Sequence, residues 1–404
     1  MEGFFSKKEI QSITALDGKV RSCYSCGLYV WAKTPKMKPY GNFRKRIMNI
    51  AEAPGETEDL HGKPFQGKAG KLLQKTYKKL GIDLFEDCIN LNAVNCRPIS
   101  KTESNRTPTN YEIECCRKSV FQYIEKYKPH TIVLLGSSAI QSILNHRWKK
   151  DFGGISKWRG WTIPDQSLRA WICPVFHPSF ILRYESCEYV NLWEDDLMKA
   201  FETVNMEFPV VTEPNIKIIT DLNILNEIQS GVVSIDFETT GLKPYKYTDH
   251  RIVSASVATD ENTAYVFKIP NKRSEIRPFK KLLTNPNVRK SAHNIKFEDV
   301  WSKIYLDTTI RGWLWDSMQA AHIIDNRSHI TGLKFQTYVN FGIIDYSSEI
   351  NKYLQSVDEK NGNSVNRIDE LISTESGLQK LLKYNALDTI YQYRLSNKQM
   401  KLFA

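Results

Sequence analysis

The amino-acid sequence predicts an α/β protein of two domains, and three observations carry that prediction. The chain has 404 residues, more than one ordinary hydrophobic core supports. Its first half alternates β-branched, strand-like runs with helix-like segments, the pattern of a parallel sheet covered on both faces. Its second half is organised around one strand bearing two carboxylates and holds none of the eight cysteines, all of which lie at or before position 187.

In chain order, residues 1–20 read as a short polar helix. Cys23 and Cys26 follow with the C-x-x-C spacing that lets two thiolates share one metal ion or cluster. Four strand-like runs come next, each ending in a polar motif. Ile47–Ala51 leads to Glu52–Gly55 (E-A-P-G), and Cys88–Ala93 carries Asn92 and leads to Asn95–Pro98 (N-C-R-P). Thr131–Leu135 leads to Gly136–Ser138, and Trp171–Phe176 leads to His177–Ser179. Helix-like segments at Ala69–Leu80, Tyr111–Tyr127 and Ala139–Leu144 separate them. Ligands bind parallel sheets beyond the carboxyl ends of the strands, where all four motifs fall. Gly62–Ala69 nearly matches a phosphate-cradling loop, but Ala69 replaces the magnesium-holding hydroxyl and Pro64 interrupts the loop, so that reading is rejected.

Glu202–Asn215 holds two prolines and no helical period. A linker at 206–215 therefore divides a domain of residues 1–205 from one of residues 216–404. Beyond it, Ile216–Thr220 and Val253–Val257 are expected as strands flanking the central run Gly231–Ile235, which leads into Asp236 and Glu238. At a period of two, both carboxylates point to one face of the strand. Side by side they repel, and a cation, a shared proton or water must relieve them. Farther on, Asn294 and Glu298 are expected to share one face of a helix, with Asp299 rotated off it. Trp315–Ile324 reads as a helix containing Asp316, and Tyr384 and Asp388 lie one helical turn apart.

Composition narrows the class. No apolar run approaches the length of a membrane span and no secretory signal opens the chain, so a cytoplasmic, intracellular protein without a membrane partner is expected. The net charge of +11 fits a polyanionic partner such as nucleic acid. Clustered thiols in a large chain without a secretory signal point to a metal or iron–sulfur site rather than disulfides, with Cys96 and the Cys115–Cys116 pair available to complete the C-x-x-C half-site. A zinc knuckle or a pair of buried thiols is the alternative.

The order D-x-E on a strand, N-x-x-x-acid, then Y-x-x-x-D resembles the DEDD-type 3′–5′ exonucleases, in the tyrosine-bearing branch that proofreads for family A DNA polymerases. The resemblance covers Ile216 to Ala404 and implies a mixed-sheet, RNase H-like fold. It implies that Asp236, Glu238, Glu298 and Asp388 hold two Mg²⁺ or Mn²⁺ ions, that Tyr384 positions the attacking water, that Asn294 contributes to substrate binding and that Asp316 supports the centre. Position 298 has Glu where the polymerase pattern has Asp. The substrate implied is the 3′ end of single-stranded DNA, and the motifs do not separate DNA from RNA.

The first half resembles the family 4, iron–sulfur uracil-DNA glycosylases, on A-E-A-P-G-E-T-E-D (51–59), G-K-P-F-Q-G-K-A-G-K-L-L (62–73), N-x-x-x-C-R-P (92–98), N-R-T-P (105–108) and F-H-P-S-F-I-L-R (176–183). This implies a parallel-sheet, three-layer domain whose Cys23, Cys26, Cys96 and Cys116 hold a 4Fe-4S cluster, Cys116 being preferred to Cys115 by its distance from N-R-T-P. Phe65 would stack on a flipped uracil, Asn92 would read its edge, and His177 would face the oxygen that gains charge as the base leaves. Glu52 and Glu58 remain the candidate acids. Ala51 stands where the family usually has Gly, and Ala53 where other uracil glycosylases have a water-activating aspartate. The arrangement resembles the front part of certain large-phage DNA polymerases, without palm or fingers motifs, so a fragment, a split gene product and a free-standing nuclease all fit. The function expected is DNA repair and replication through 3′–5′ exonuclease action with uracil recognition or excision. The alternative is a non-catalytic uracil-sensing module that serves a polymerase.

Overall fold

The computed structural model describes residues 22–404 except 146, 147, 149, 150, 185, 246–249, 345 and 359–364. The polar helix expected at residues 1–20 lies outside them. The chain divides into two compact units, Met1–Val210 with Tyr338–Ile344 and Val211–Thr337 with Asp345–Ala404.

In the first unit the strands are β1 (Ile47–Ala51), β2 (Cys88–Asn92), β3 (Thr131–Leu135), β4 (Ile163–Asp165) and β5 (Ala170–Val175), in the spatial order β2-β1-β3-β5-β4. The pairs β1–β2, β1–β3 and β3–β5 are parallel, while β4, which the sequence did not announce, pairs antiparallel to β5 at the edge. Every residue of β1, β3 and β5 is buried, as expected for strands covered on both faces. Ile47, Val133 and Cys173 share one core with Leu73 and Tyr77 of α2 (Lys68–Lys79) and with Trp193, Leu197 and Ala200 of α6 (Cys187–Glu202). The helices between are α1 (Glu56–His61), α3 (Asn110–Tyr127), α4 (Ser137–Leu144) and α5 (Pro178–Tyr184). Thr109 starts α3 with a reciprocal capping box to Glu112, which explains why that helix begins sharply after the N-R-T-P run.

The second unit holds a mixed six-stranded sheet in the order β11-β10-β7-β8-β9-β6. Its strands are β6 (Asn215–Ile218), β7 (Gly231–Thr239), β8 (Ile252–Ala258), β9 (Thr263–Lys268), β10 (Val288–Ala292) and β11 (Trp313–Asp316). Val233, Ile235 and Phe237 of β7 enter a core with Phe279 of α7 (Arg277–Thr284) and Trp301 of α8 (Ile295–Tyr305). The alternate residues, Asp236 and Glu238, therefore point to the opposite face, beside the 29-residue helix α11 (Glu375–Phe403). The remaining helices used below are α9 (Ser317–Ile324) and α10 (Leu333–Phe341).

Three expectations are corrected. The strand at Ile216 does not flank the Asp236 strand: β6 pairs parallel with β9 at the far edge, and β10 takes the expected place. Trp315 and Asp316 belong to β11 rather than to a helix, because β11 pairs with β10 through Asp316 and the helix starts only at Ser317. Asn294 is not on the helix of Glu298. It is the residue before α8, in a left-handed conformation (φ 79°), so the shared helical face does not exist.

Candidate functional sites

In the first unit the register of the sheet gathers the strand-end motifs. Ala51 is paired with Asn92, and the Ala93 N–H donates to the Ala51 carbonyl (2.8 Å), so the E-A-P-G turn and the Asn92 side chain start from adjacent positions. Two strands along, Gly136 adopts φ 87°, and a Cβ there would sit 2.8 Å from the His177 Cβ. Only glycine lets His177 pack against the end of β3.

The His177 imidazole accepts the Ser179 backbone N–H at Nδ1 (3.2 Å) and lies 2.7 Å from the Ser179 hydroxyl. Burial, with help from the Arg183 charge, pushes it down to about 4. Neutral, and with Nδ1 occupied as acceptor, it carries its proton on Nε2 as a donor. Glu52 accepts from the Ser138 hydroxyl (3.1 Å), and burial raises its carboxyl against the opposing effects of that bond and of Arg183.

Glu58 is engaged differently. Its Oε1 accepts from the backbone N–H groups of Gln66 (3.0 Å) and Gly67 (2.8 Å), at the start of α2, which has no side-chain cap of its own. A carboxylate there complements the helix terminus and ties down the Phe65 loop. Phe65 has φ 60°, unusual for an aromatic residue, and its carbonyl accepts from Gln74 Nε2 (2.9 Å). Gly70 passes so close that a Cβ would meet the Phe65 carbonyl oxygen at 2.2 Å. The ring is buried in the same core cluster as Ala51 and Phe176. Asn92 is buried with its amide N–H facing the Met37 sulfur at 4.0 Å, a soft acceptor that a better one can displace.

The cysteines of the first half separate into groups. Cys96, Cys116 and Cys26 share a small core with Leu28, Val94 and Ile113, against which Ala53 packs. Burial, and after it the neighbouring cysteines including Cys23, raise the thiols of Cys96 and Cys116, pushing Cys116 up to about 12. The Lys36 N–H donates to Cys96 Sγ (3.2 Å). Cys115, though buried, is not in this cluster.

The second unit holds the charged site. Asp236, Glu238 and Asp388 bring carboxylate oxygens within 4.8 Å of one another. Burial, then the Asp388 charge, pushes Asp236 up to about 7, and burial and Asp236 push Glu238 well above the carboxylate range. Asn385, inside the Y-N-A-L-D motif, donates from Nδ2 to Asp236 Oδ2 and is itself held by Ser254 (3.1 Å) and Ser256 (3.0 Å) of β8. Tyr384 and Tyr346 stand beside Asp388, the Tyr346 hydroxyl donating to Oδ1, and Lys334 pairs with the same oxygen.

Glu298 stands outside that converging trio but feels the charge of Asp236. Its buried carboxyl is raised by desolvation and by Asp236, and its Oε2 has no hydrogen-bond partner among the described residues. Asp299 instead pairs with Lys303 on the more exposed side of α8 (2.6 Å). Asp316 accepts from the N–H groups of Asn294 (3.1 Å) and Ile295 (3.0 Å), and from Met318 (3.0 Å) and Gln319 (3.2 Å). One carboxylate thus caps α8 and α9 together, which fixes the helix that carries Glu298. Lys334, Tyr346, Asn385 and Ser138 were missed by sequence reasoning. Asn385 lay inside the Y-N-A-L-D motif and Ser138 inside the Gly136–Ser138 strand-end motif, but neither was singled out.

Comparison with known proteins decides the family. Residues 38–198 match the uracil DNA glycosylase superfamily, and residues 216–403 match the 3′–5′ exonuclease domain of family A polymerases. A type-4 uracil-DNA glycosylase of Thermotoga maritima is 34% identical over 203 residues, covering 50% of this chain and 99% of that one. The first half of the chain belongs to the type-4 uracil-DNA glycosylase family. A glycosylase of the same type from Archaeoglobus fulgidus is 33% identical, covering 50% of this chain and 98% of its own. A DNA polymerase of Bacillus phage SP01 is 25% identical over 330 residues, which span 72% of this chain and 34% of that polymerase. Among solved structures, Brucella melitensis NrnC aligns over 48% of this chain and 81% of its own at 20% identity and a TM-score of 0.32. The glycosylase-family half is therefore followed by a 3′–5′ exonuclease domain, an enzyme class that uses divalent metal ions. Among the described residues no helix is long and apolar enough to cross a membrane.

Proposed function

We propose that the chain acts on DNA inside the cell through two sites: an exonuclease domain (216–404) that removes nucleotides from 3′ ends, and a glycosylase domain (1–205) that binds and excises uracil, joined by residues 206–215. The observation that carries the reading is the convergence of Asp236, Glu238 and Asp388 beside Tyr384. Three converging carboxylates, two of them (Asp236 and Glu238) with raised pKa values, suit a hard cation, and Glu298 offers a buried oxygen with no partner among the described residues. Mg²⁺ or Mn²⁺, two ions in all, would be held by Asp236, Glu238, Glu298 and Asp388, and would activate water and stabilise charge on the phosphodiester. Asn385 fixes the orientation of Asp236, and Tyr384 holds the attacking water. Asn294, turned out of α8, contributes to binding the strand.

In the glycosylase domain Phe65 stacks on the extruded base, Asn92 pairs with its edge, and His177 Nε2–H donates to the oxygen on which charge develops. Of the two acids, Glu52 faces the chemistry beside Ser138, and Glu58 holds the Phe65 loop. Cys23, Cys26, Cys96 and Cys116 hold a 4Fe-4S cluster. Supporting this, Cys26, Cys96 and Cys116 pack in one small core and Cys23 lies close enough to act electrostatically on Cys96 and Cys116. The likeness to a phage polymerase supports a polymerase module or subunit as partner.

End-labelled single-stranded DNA, with and without one uracil, incubated in Mg²⁺ and in chelator, tests both activities. Shortening from the 3′ end in Mg²⁺ alone and release of free uracil in either condition are expected. Uracil binding without release would replace excision with a sensing role. Iron and sulfide analysis tests the cluster, and stoichiometric zinc in a colourless preparation would overturn it.

A further inference from the structure

The exonuclease site contains a cation of its own that the proposed reaction does not use. Lys334 lies in the first turn of α10, and its ammonium pairs with Asp388 Oδ1. The Nζ sits 4.1 Å from the ring centroid of Tyr346 and 4.2 Å from that of Tyr384. Two electron-rich faces and a carboxylate thus hold one positive charge inside the acidic cluster. Its charge favours the ionised forms of both Asp236 and Glu238. The side chain is 21% exposed, so its end is not sealed in, and a lysine stem is flexible enough to swing the charge away.

A divalent ion on Asp388 would meet this ammonium at close range, and two cations sharing one carboxylate oxygen in a desolvated site repel strongly. We propose that Lys334 is a displaceable internal cation: it neutralises the Asp236–Glu238–Asp388 cluster in the metal-free protein and must withdraw from Asp388 when a divalent ion binds. The inference rests on the reading of this cluster as the metal site. Metal affinity is then set by competition with Lys334, and the metal-free fold is protected from the mutual repulsion of its carboxylates.

Mn²⁺ binding to the full chain, without DNA, provides the test, read by the electron paramagnetic resonance of free Mn²⁺. Lys334→Met is expected to bind Mn²⁺ about tenfold more tightly than wild type, because the competing state is removed. Its metal-free exonuclease unit should unfold at a lower temperature and gain more from Mn²⁺ than wild type does. Lys334→Arg, which keeps the charge, should stay near wild type. A measurement on the wild type needs no variant to fold: acylation of Lys334, read by peptide mass spectrometry, should rise when Ca²⁺ saturates the site. Unchanged or weaker Mn²⁺ binding by Lys334→Met, or Lys334 acylation that does not rise with Ca²⁺, overturns the proposal. Asp388→Ala separates the two readings. If Asp388→Ala binds Mn²⁺ as wild type does, the metal-site assignment fails as well. If it loses binding while Lys334→Met stays at wild-type affinity, this proposal alone fails.

Discussion

Burial acts on both candidate sites, with opposite consequences. In the glycosylase half burial, with the Arg183 charge, pushes His177 down to about 4, and in the exonuclease half burial, with the Asp388 charge, pushes Asp236 up to about 7. Desolvation disfavours whichever form is charged, so each group is driven toward neutrality. A neutral histidine is still a hydrogen-bond donor, and the Ser179 N–H fixes the His177 tautomer in which Nε2 donates. Neutralised carboxylates are poor metal ligands, so on the proposed reading the acidic cluster, which already holds the Lys334 ammonium, is completed only by divalent ions. The first site is built from donors set in place by strand ends, and the second from charge that the fold concentrates and leaves for a cation to relieve.

The largest expected effect tests the second half of that contrast. Asp388→Ala removes one of three converging carboxylates and the partner of Lys334, and 3′ degradation in Mg²⁺ should be abolished while uracil release is unchanged. Calorimetry should show the exonuclease unit still folded, since no apolar surface is lost. Residual Mg²⁺-dependent shortening near the wild-type rate would remove Asp388 from the site.

The first half of the contrast is tested at His177. Removing a preplaced donor to a developing negative charge typically costs about a hundredfold or more in rate. His177→Ala should lower uracil release by about that factor and leave the exonuclease rate alone. Equal release by the variant would mean that the charge on the departing base is met elsewhere, for instance by the backbone of the Glu52–Gly55 turn.

A smaller and sharper comparison lies within α8. Glu298 is buried beside Asp236, whereas Asp299 pairs with Lys303 on the outer side. Glu298→Gln should reduce nuclease turnover at least about tenfold more than Asp299→Asn, equivalent to roughly 1.4 kcal/mol of barrier. The reverse order in single-turnover rates would show that α8 presents the other acid. This outcome was only partly legible in the sequence. The spacing from Asn294 named Glu298 for a reason that does not hold, because Asn294 precedes the helix. The feature that orients Glu298, the double cap by Asp316, is a contact between segments that a local period cannot report.

The same limit explains the rest of the comparison between sequence and structure. β1 and β3 were legible to the residue, since both are buried along their whole length and each run is mostly apolar, with Asn49 the one polar interruption in β1, and ends in a polar motif. The order of strands in the second sheet was not, because β6 and β10 differ in which distant strand they meet rather than in pattern. Lys334 and Tyr346 come to Asp388 from 54 and 42 residues away, and nothing in T-G-L-K-F or I-D-Y marks them.

His177 also makes stability depend on pH. Its folded value of about 4 lies below the ordinary histidine value near 6.5, so between them the unfolded chain holds the extra proton. Stability then rises with pH across that window. It is complete above about 6.5 and lost as pH falls toward about 4. His177→Gln should flatten that slope in the melting temperature of the glycosylase unit. An unchanged slope would assign the acid sensitivity to other groups.

The smallest effect concerns Ala51. Its methyl is buried at the end of β1, in the core cluster that holds the Phe65 ring, and its carbonyl ties the turn bearing Glu52 to the strand bearing Asn92. A glycine there would let turn and ring approach more closely, at a cost of about 0.5–1 kcal/mol from added backbone freedom in a strand. Ala51→Gly should therefore raise uracil release by up to about tenfold, which needs only about 1.4 kcal/mol of added transition-state stabilisation, while lowering the melting temperature slightly. Phe65→Ala should weaken binding to uracil-containing DNA in either background, since stacking is lost whatever the turn does. If release is no faster in Ala51→Gly and binding is no weaker in Phe65→Ala, the strand-end turn does not set the rate, and the contrast between a site complete in itself and one awaiting a cation loses its first half.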